Sequence, residues 1–285
     1  NVVNPRRLPP VLSPTSDENG PRFNFRTGSL DPRHFDLVCD DRVVLTLQYS
    51  TQWDTLAHVG GMFDVDGDGE PEAVYYNGFR AGIDVVGPAE EAAAGGHGCY
   101  AHKLGVQNMA EKPIQGRGVL VDLEKHLGRD RVLVGHDQLR KIIAADEIEV
   151  EPGDMLVLHT GYATELLAMD GRPDPARVHA MCAVLDGRDG ELLQWITDSG
   201  IAALIADNYG VEDFPARDAG PGAQSALPLH HHCLFKLGVN LGEMWYLEEL
   251  ARWLGEQGRS RFLLTAPPLR LPGAVGSPAN AIATV

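Results

Sequence analysis

Cysteine, positive charge and long apolar runs are all scarce in this chain of 285 residues, and each shortage excludes a class of protein. The four cysteines lie far apart without Cys-x-x-Cys spacing, so we interpret them as reduced core thiols and not as a disulfide framework or a zinc ribbon. Lysine and arginine number 24 against 40 aspartates and glutamates, and the net charge of −16 argues against nucleic acid or an acidic membrane as a partner. No apolar run approaches the ~20 residues that span a bilayer, so a cytoplasmic location is expected.

Two common catalytic motifs are also missing. The sequence has no Gly-x-x-x-x-Gly-Lys-Ser/Thr phosphate loop and no Gly-x-Ser-x-Gly nucleophile elbow, which argues against a serine hydrolase. What remains is an ordinary globular composition, with 44% hydrophobic and 22% charged residues. A chain of this length and composition can bury a substantial core.

One segment, residues 48–58, places four potential metal ligands on alternate positions. They are Gln48, Gln52, Asp54 and His58. Because side chains alternate faces along an extended chain, all four point to the same side. A straight strand of this length would span about 33 Å, at roughly 3.3 Å per residue, so the four reach one ion only if the chain bends. The alternative is a polar face on a surface strand.

A second cluster, near the C-terminus, holds three consecutive histidines. His230, His231 and His232 point in different directions in either a helix or a strand, so at most one or two of them can serve one site. Neutral imidazole is the commonest metal ligand, and carboxylates such as that of Glu243 complete such sites. The alternative for a triple histidine is a solvated turn.

Together these segments resemble the cyclase family, which includes bacterial kynurenine formamidases, isatin hydrolases and trans-dienelactone hydrolases. The sequence Gln48-x-Ser-Thr-Gln52-x-Asp54-x-x-x-His58 is similar to the family's His-x-Gly-Thr-His-x-Asp-x-Pro-x-His motif. The twelve-residue spacing from His231 to Glu243 resembles the family's downstream His and Glu. Further matches follow in order along the chain, at residues 116–122, 152–162, 206–212 and 266–281.

The resemblance implies a divalent metal ion and a set of residues for proton transfer. Its implied metal ligands are Gln48, Gln52 and Asp54, and the groups available for proton transfer are His58, His231 and Glu243. The two glutamines stand where the formamidase-like members have histidine, and amide oxygens bind zinc more weakly than imidazole nitrogens. A single ion, Zn²⁺ or the harder Mn²⁺, is therefore expected.

A rival ligand set uses the same segments. Asp54, His58, His231 and Glu243 would make a site with two imidazoles and two carboxylates, which are better zinc ligands than amides. The sequence does not separate this set from the one at residues 48, 52 and 54.

The resemblance also implies a reaction, the hydrolysis of a small carbonyl compound by metal-activated water. A lactone, a cyclic amide or an aryl-amide is the expected substrate class. Two alternatives stay open: a metal-dependent cyclase or lyase of a biosynthetic pathway, and a non-catalytic binding protein of the same fold. A homodimer or homotetramer is the expected assembly.

The organisation along the chain predicts a single α/β domain. Residues 1–35 are rich in proline and lack periodicity, so we expect an extended N-terminal arm, followed by the cyclase-like domain over residues 36–285. Buried strands are predicted at residues 118–123, 155–160 and 201–206, and helices at residues 135–145, 175–199 and 244–257. The expected architecture is a central mixed β-sheet or barrel-like core flanked by helices, the swivelling β/β/α fold that the resemblance implies.

An acidic loop at residues 64–72 resembles the first half of a calcium-binding loop. Asp64, Asp66 and Asp68 match the opening Asp-x-Asp-x-Asp-Gly pattern, but Tyr75 stands where the bidentate glutamate belongs. A loop that uses an acid at its ninth position could employ Glu72. Both a Ca²⁺ site and a solvated acidic turn are compatible with this pattern.

Other aromatic and histidine residues are interpreted as structural. Trp53 lies between two potential ligands, so on a regular strand it points away from them and packs in the core. His126, His136 and His159 are isolated in the sequence and are interpreted as structural or surface residues.

Overall fold

A computed structural model describes residues 6–93, 98–112 and 114–285, and most of its strands are short. In chain order the strands are β1 (Val11–Pro14), β2 (Ser16–Asp17), β3 (Gly20–Pro21), β4 (Phe25–Arg26), β5 (Leu37–Val38), β6 (Asp41–Val44), β7 (Gln52–Asp54), β8 (Gly61–Phe63), β9 (Glu72–Val74), β10 (Val85–Val86), β11 (Tyr100–Ala101), β12 (Gln115–Asp122), β13 (Val132–Val134), β14 (Met155–His159), β15 (Ala183–Leu185), β16 (Ala203–Ala206), β17 (Asn240–Glu243), β18 (Arg261–Thr265), β19 (Gly276–Pro278) and β20 (Ile282–Thr284).

The helices are equally short. They are α1 (Pro88–Ala93), α2 (Gln107–Glu111), α3 (Leu123–Leu127), α4 (His136–Ala145), α5 (Tyr162–Ala168), α6 (Pro175–His179), α7 (Gly190–Ser199), α8 (Pro228–His230) and α9 (Glu248–Glu256). Helix α8 continues as a π-helical stretch, His231–Leu237, and single 3₁₀ turns lie at Thr27–Ser29 and Tyr76–Gly78. Within the described ranges, none of these helices combines the length and apolar character required to traverse a bilayer.

Eight strands form one mixed sheet, in the order β19-β7-β17-β16-β14-β12-β18-β20. The four central strands, β17, β16, β14 and β12, run parallel, and antiparallel strands flank them on both sides. The predicted single α/β domain with a central mixed sheet flanked by helices is confirmed. Because the central strands are parallel, their last residues meet at one edge, which we call the carboxyl edge.

The three apolar runs that were predicted as buried strands form β12, β14 and β16. Their side chains pack on both faces of the sheet: Val119 and Val121 contact one hydrophobic cluster, and Leu120 contacts another. Coverage of both faces explains why the runs are continuously apolar and do not alternate. Each fully buried Leu or Val stabilises the fold by roughly 1.5–3 kcal/mol, so these strands form a rigid base for the polar residues at their ends.

The helix predicted over residues 175–199 is wrong in its middle. Helices α6 and α7 occupy its two ends, and β15 lies between them. Strand β15 is buried and pairs in parallel with β13, with Ala183 opposite Val132. The apolar run at residues 181–185 is too short to distinguish the two periodicities, so pairing with a distant strand decides its conformation.

The helix predicted over residues 244–257 begins later than its amphipathic pattern indicates. Residues 244–247 turn the chain from β17 into α9, and Met244 has a positive φ of 59°. Trp245 faces back toward the sheet, where its Nε1 donates to the Gln52 carbonyl oxygen at 2.9 Å. The helix ends before Gly258, whose φ of 60° suits a residue without a side chain.

The described part of the N-terminal arm, residues 6–35, consists mainly of short two-stranded ribbons. Strand β1 of the arm pairs with β6, residues 41–44, which lies beyond the predicted end of the arm. Leu12 and Val44 on this ribbon are exposed. Residues 1–5 lie outside the described residues, and the boundary at residue 35 stays a prediction.

The four cysteines are free thiols in two different environments. Cys182 and Cys233 are buried, and burial raises the pKa of Cys182 to about 12. Cys39 and Cys99 are exposed. The interpretation as core thiols is therefore confirmed for the first two and wrong for the other two.

Candidate metal centre

Strand β7 brings Gln52 and Asp54 to one face of the sheet. Trp53 points to the opposite face, where it packs edge-on against Trp245 with ring centroids 5.1 Å apart, as its position between two ligands predicts. Strand β7 pairs antiparallel with β17, which sets Glu243 opposite Gln52. The Gln52 Nε2 donates to Asp54 Oδ1 at 3.1 Å and to Glu243 Oε2 at 3.2 Å. One amide therefore joins two buried carboxylates.

Gln48 lies in the chain before β7, and its amide packs against the edge strand β19. Strand β19 pairs with β7 so that Gly276 lies opposite Asp54. A Cβ on Gly276 would lie 2.4 Å from Gln48 Nε2, so the amide of Gln48 occupies the space that a side chain at 276 would fill. The chain bends before β7, where the Tyr49 N–H donates to the Thr46 carbonyl oxygen at 3.0 Å. A bend is what the sequence requires if these side chains are to reach one ion.

His58 reaches Asp54 after a turn on the other side of β7. The His58 N–H donates to the Thr55 carbonyl at 2.9 Å, and this turn brings His58 Nε2 to 3.7 Å from Asp54 Oδ1. The His58 side chain is 21% exposed, whereas Asp54 is fully buried. Part of the His58 ring is therefore open to solvent, whereas the carboxylate that it approaches is not.

His230 is the histidine of the triple cluster that enters the centre. Its Nδ1 lies 2.8 Å from Glu212 Oε1, and its Nε2 lies 3.0 Å from Glu243 Oε1. All three side chains are at least nine-tenths buried. Burial opposes protonation, but the hydrogen bonds to Glu212 and Glu243 outweigh it and raise the pKa of His230 to about 10.

His231 and His232 face other surroundings. The His231 ring packs on Phe235, with centroids 4.8 Å apart, and His232 Nε2 lies 2.9 Å from Thr197 Oγ1. Adjacent helical residues point about 100° apart, so a shift of one residue moves a side chain out of the centre. The spacing of twelve residues selects His231, but the residue that contacts Glu243 is His230, thirteen residues before it.

The pKa values of the two carboxylates of the centre shift in opposite directions. Burial raises the pKa of Asp54, and the nearby charge of Glu243 adds to that effect. Burial would also raise the pKa of Glu243, but its hydrogen bond to His230 and the charge of that ring lower it. Arg7 of the N-terminal arm adds positive charge, with Nη1 at 3.7 Å from Glu243 Oε2.

The donor set fits a divalent cation. Asp54, His230 and Glu243 each offer one ligand atom, and these atoms all lie within 4.8 Å of one another. The Gln52 Oε1 is buried without a hydrogen-bond partner. Because rotation of an amide exchanges its oxygen and nitrogen, Gln52 can donate to the carboxylates or offer its oxygen to a cation. Glu212 holds the second nitrogen of His230, as a carboxylate does beside metal-bound histidines.

A pocket of about 550 Å³ leads to this centre. His58, His230 and Glu243 line its polar side, and Arg7, Tyr209 and Phe214 lie around them. Arg7 also packs over the Tyr209 ring, with its Cζ 5.4 Å from the ring centroid. The pocket is large enough for a small molecule and presents aromatic and cationic groups to it.

Three residues in and around the centre are not among the ligands or proton-transfer groups expected from the sequence: Glu212, His230 and Arg7. Glu212 ends the stretch at residues 206–212 that resembles the cyclase family. It accepts the backbone N–H groups of Leu229 and His230 at 2.9 and 2.8 Å, so it also fixes the start of α8. No local pattern points to Arg7, because its contact with Glu243 depends on how the arm folds back.

The acidic loop forms a separate group of potential ligands, Asp64, Asp66 and Glu72. Asp64 accepts the N–H groups of Gly67 and Gly69, at 2.7 and 2.9 Å, and the Arg80 guanidinium lies 3.6 Å from Asp66. Asp68 accepts the N–H of Glu70 at 2.8 Å. Calcium binding at this loop stays a prediction.

Comparison with solved structures finds the same fold in other proteins. A structure described as a novel cyclase is 30% identical, with a TM-score of 0.71 over 99% of this chain and 82% of its own. An isatin hydrolase from Labrenzia aggregata, bound to benzyl benzoate, is 14% identical, with a TM-score of 0.57 over 96% of this chain and 82% of its own. A further isatin hydrolase, bound to the product analogue thioisatinate, is 17% identical, with a TM-score of 0.57 over 97% and 81%.

Comparison of sequences gives the family. No curated protein matches this chain. The family model described as "Putative cyclase" matches residues 10–213, which is more than half of the chain. That match includes residues 48–58 and Glu212, and the cyclase of 30% identity covers the rest. The chain belongs to the cyclase family.

Proposed function

We propose that this protein is a metal-dependent hydrolase that uses metal-activated water to open the carbonyl of a lactone, a cyclic amide or an aryl-amide. The observation that carries the proposal is the buried group of Asp54, His230 and Glu243, which offers three converging ligand atoms beside the unpaired Gln52 Oε1. The isatin hydrolases that share the fold support hydrolysis as the reaction.

In this proposal one divalent ion, Zn²⁺ or Mn²⁺, is held by Asp54, His230 and Glu243. The set differs from the rival ligand set, Asp54, His58, His231 and Glu243, because His230 replaces His231 and His58 is left for proton transfer. Gln52 supplies an amide oxygen, and Gln48 stays a candidate ligand on the β19 side. Such an ion polarises a carbonyl and lowers the pKa of its bound water from 15.7 to about 7. Imidazole and carboxylate are stronger zinc ligands than the amides at 48 and 52, which favours this set.

His58 is the group that moves the proton in this proposal. Its Nε2 lies 3.7 Å from Asp54 Oδ1, and part of its ring faces the pocket. His58 Nε2 would accept the proton of the attacking water and deliver it to the leaving oxygen or nitrogen. General acid–base catalysis of this kind contributes about 10²–10⁴-fold to a rate.

The pocket indicates which carbonyl compounds fit best. Tyr209 and Phe214 provide aromatic surface, and Arg7 provides positive charge near the centre. Hydrolysis of a lactone or an amide produces a carboxylate, which a guanidinium can pair with. We therefore propose an aryl-bearing lactone or amide as the substrate class.

The proposal is tested with a panel of lactones and aryl-amides in ¹⁸O-labelled water, after elemental analysis of the purified protein. We expect one labelled oxygen in each product, and loss of turnover on chelation that Zn²⁺ or Mn²⁺ restores. His232→Ala is a matched control, because His232 contacts Thr197 and not the centre. Turnover that persists in chelated protein would contradict metal dependence, and unlabelled product would indicate a cyclase or lyase.

We also propose that the chain assembles as a homodimer or homotetramer through its N-terminal ribbons. Large apolar side chains are exposed there, among them Leu8, Leu12, Phe35 and Val44. Val11, also exposed, and Val44 are direct neighbours in the pairing of β1 with β6, and an exposed apolar patch is a common feature of interaction sites. Light scattering on the wild-type protein and on Leu12→Glu tests this, and a monomer at all concentrations in the wild-type protein would contradict it.

A further inference from the structure

A second group of potential metal ligands lies at the carboxyl edge of the sheet. Glu124, His159 and Glu248 each offer one ligand atom, and these atoms lie within 4.8 Å of one another. His159 ends β14, Glu124 lies in the first turn of α3 directly after β12, and Glu248 begins α9. Strand β14 is two places from β17 in the sheet, or about 10 Å at ~4.8 Å per strand, so this group is separate from the Asp54 centre.

We propose that Glu124, His159 and Glu248 bind a second divalent cation, of the Zn²⁺ or Mn²⁺ class. The His159 side chain is 4% exposed, and its Nε2 is buried without a hydrogen-bond partner. This nitrogen lies 3.4 Å from Glu124 Oε2 and 3.7 Å from Glu248 Oε2. Both separations are too long for a good hydrogen bond. Two ligands about 2.1 Å from one ion, at the tetrahedral angle, lie roughly 3.4 Å apart.

The other nitrogen of His159 is held in the way that a metal ligand requires. His159 Nδ1 lies 2.9 Å from Asp122 Oδ1, and these residues are direct neighbours in the parallel pairing of β12 with β14. A carboxylate at Nδ1 fixes the proton on that nitrogen and turns the lone pair of Nε2 toward the ion. His230 has the same arrangement, with Glu212 in the place of Asp122.

The side chains around His159 carry a net negative charge, which favours a bound cation. Four carboxylates and two guanidinium groups form ion pairs with one another or with His159, and these six groups carry an excess of two negative charges. The carboxylates are those of Asp122, Glu124, Glu165 and Glu248, and the guanidinium groups are those of Arg129 and Arg177. A proton on His159 would supply one charge, and a divalent ion would supply both. Thr164 Oγ1 donates to Glu248 Oε2 at 2.8 Å and orients that carboxylate.

The experiment measures metal content, so it does not depend on the proposed reaction. Chelated protein is dialysed against Zn²⁺ or Mn²⁺, freed of excess ion and analysed for metal per chain. We expect two equivalents in the wild-type protein and one in each of Asp54→Asn and Glu248→Gln. The Glu248 side chain is 30% exposed, and a glutamine there still accepts from Thr164, so this variant keeps the fold where His159→Ala could lose it.

His126→Ala is the matched control, because His126 lies in α3 and contacts Asp146 at 2.9 Å, away from the proposed ligands. It should retain both equivalents. The inference would be overturned if the wild-type protein bound one equivalent of metal and only Asp54→Asn lost it. It would also be overturned if Glu248→Gln kept two equivalents. A single equivalent that Glu248→Gln loses and Asp54→Asn retains would uphold the second site and refute the centre proposed for hydrolysis.

Discussion

Alanine at each of three consecutive positions, His230, His231 and His232, tests which histidine belongs to the metal centre. His230 bridges two buried carboxylates, whereas His231 packs on an aromatic ring and His232 on a threonine. We expect only His230→Ala to lose the ion of this centre. It should also lose the most stability in metal-free protein, since Glu212 and Glu243 would both lose the protonated ring that lies between them.

The size of that loss follows from the buried ion pairs. Removing one partner of a buried pair costs roughly 3–5 kcal/mol. The pKa of His230 rises from 6.5 to about 10 on folding, which corresponds to roughly 5 kcal/mol at about 1.36 kcal/mol per unit of pKa. The contact of His231 with Phe235 is half-buried, and an aromatic pair of this kind contributes about 0.5–1.5 kcal/mol.

The dependence on pH has a definite sign. Because folding raises the pKa of His230, its contribution to stability is fully present below pH 6.5 and disappears as the pH rises toward 10. The pKa of Glu243 is lowered, so its contribution needs a pH above 4.5 and disappears as the pH falls. Metal-free protein should therefore be most stable near pH 5–6.5 with respect to this pair.

Urea unfolding in EDTA at pH 6, followed by tryptophan fluorescence, measures the three losses, and elemental analysis measures the metal. Trp53 and Trp245 pack beneath the centre and report on it directly. Equal losses of stability at positions 230 and 231, or full metal content in His230→Ala, would refute the assignment of His230 to the centre.

Three further predictions concern the other side chains of the centre. Asp54→Asn should lose the ion of this centre and keep the one proposed at His159, with the fold intact, because Asp54 is a fully buried carboxylate among the proposed ligands, and metal analysis against Asp64→Asn in the acidic loop checks this. His58→Ala should lower kcat by about 10²–10⁴-fold and keep the metal, and loss of the metal would instead make His58 a ligand. Gln48→His combined with Gln52→His should tighten zinc binding in a chelator competition, and unchanged affinity would show that neither amide faces the ion.

The part of the centre that the sequence predicts is the part that depends on local geometry. Gln52 and Asp54 are two residues apart in one strand, so they must share a face wherever the strand lies. The buried runs of β12, β14 and β16 are likewise readable, since burial on both faces needs a continuous apolar stretch. The turn that brings His58 back to Asp54 is local as well.

The remainder depends on contacts between distant segments. Glu243 lies opposite Gln52 only because β17 pairs with β7, 191 residues away in sequence. His231 and His230 differ by only one residue in their spacing to Glu243. They lie where an α-helical turn passes into a π-helical one, so the spacing alone does not predict which ring points at Glu243. Strand β15 was not predicted for the same reason, because its pairing with the distant strand β13 cannot be read from its own short apolar run.

His230 and His159 have the same carboxylate arrangement around the ring but differ in the distances from Nε2. Each ring has Nδ1 beside a carboxylate and Nε2 facing a pair of carboxylates. At His230 the Nε2 approaches Glu243 to 3.0 Å, so a proton already joins them, and a metal ion must displace that proton to bind. At His159 the distances of 3.4 and 3.7 Å leave the nitrogen without such a bond. In a chain of net charge −16, the carboxylates around each histidine favour a cation, which is a proton or the proposed catalytic ion at His230 and the proposed second ion at His159.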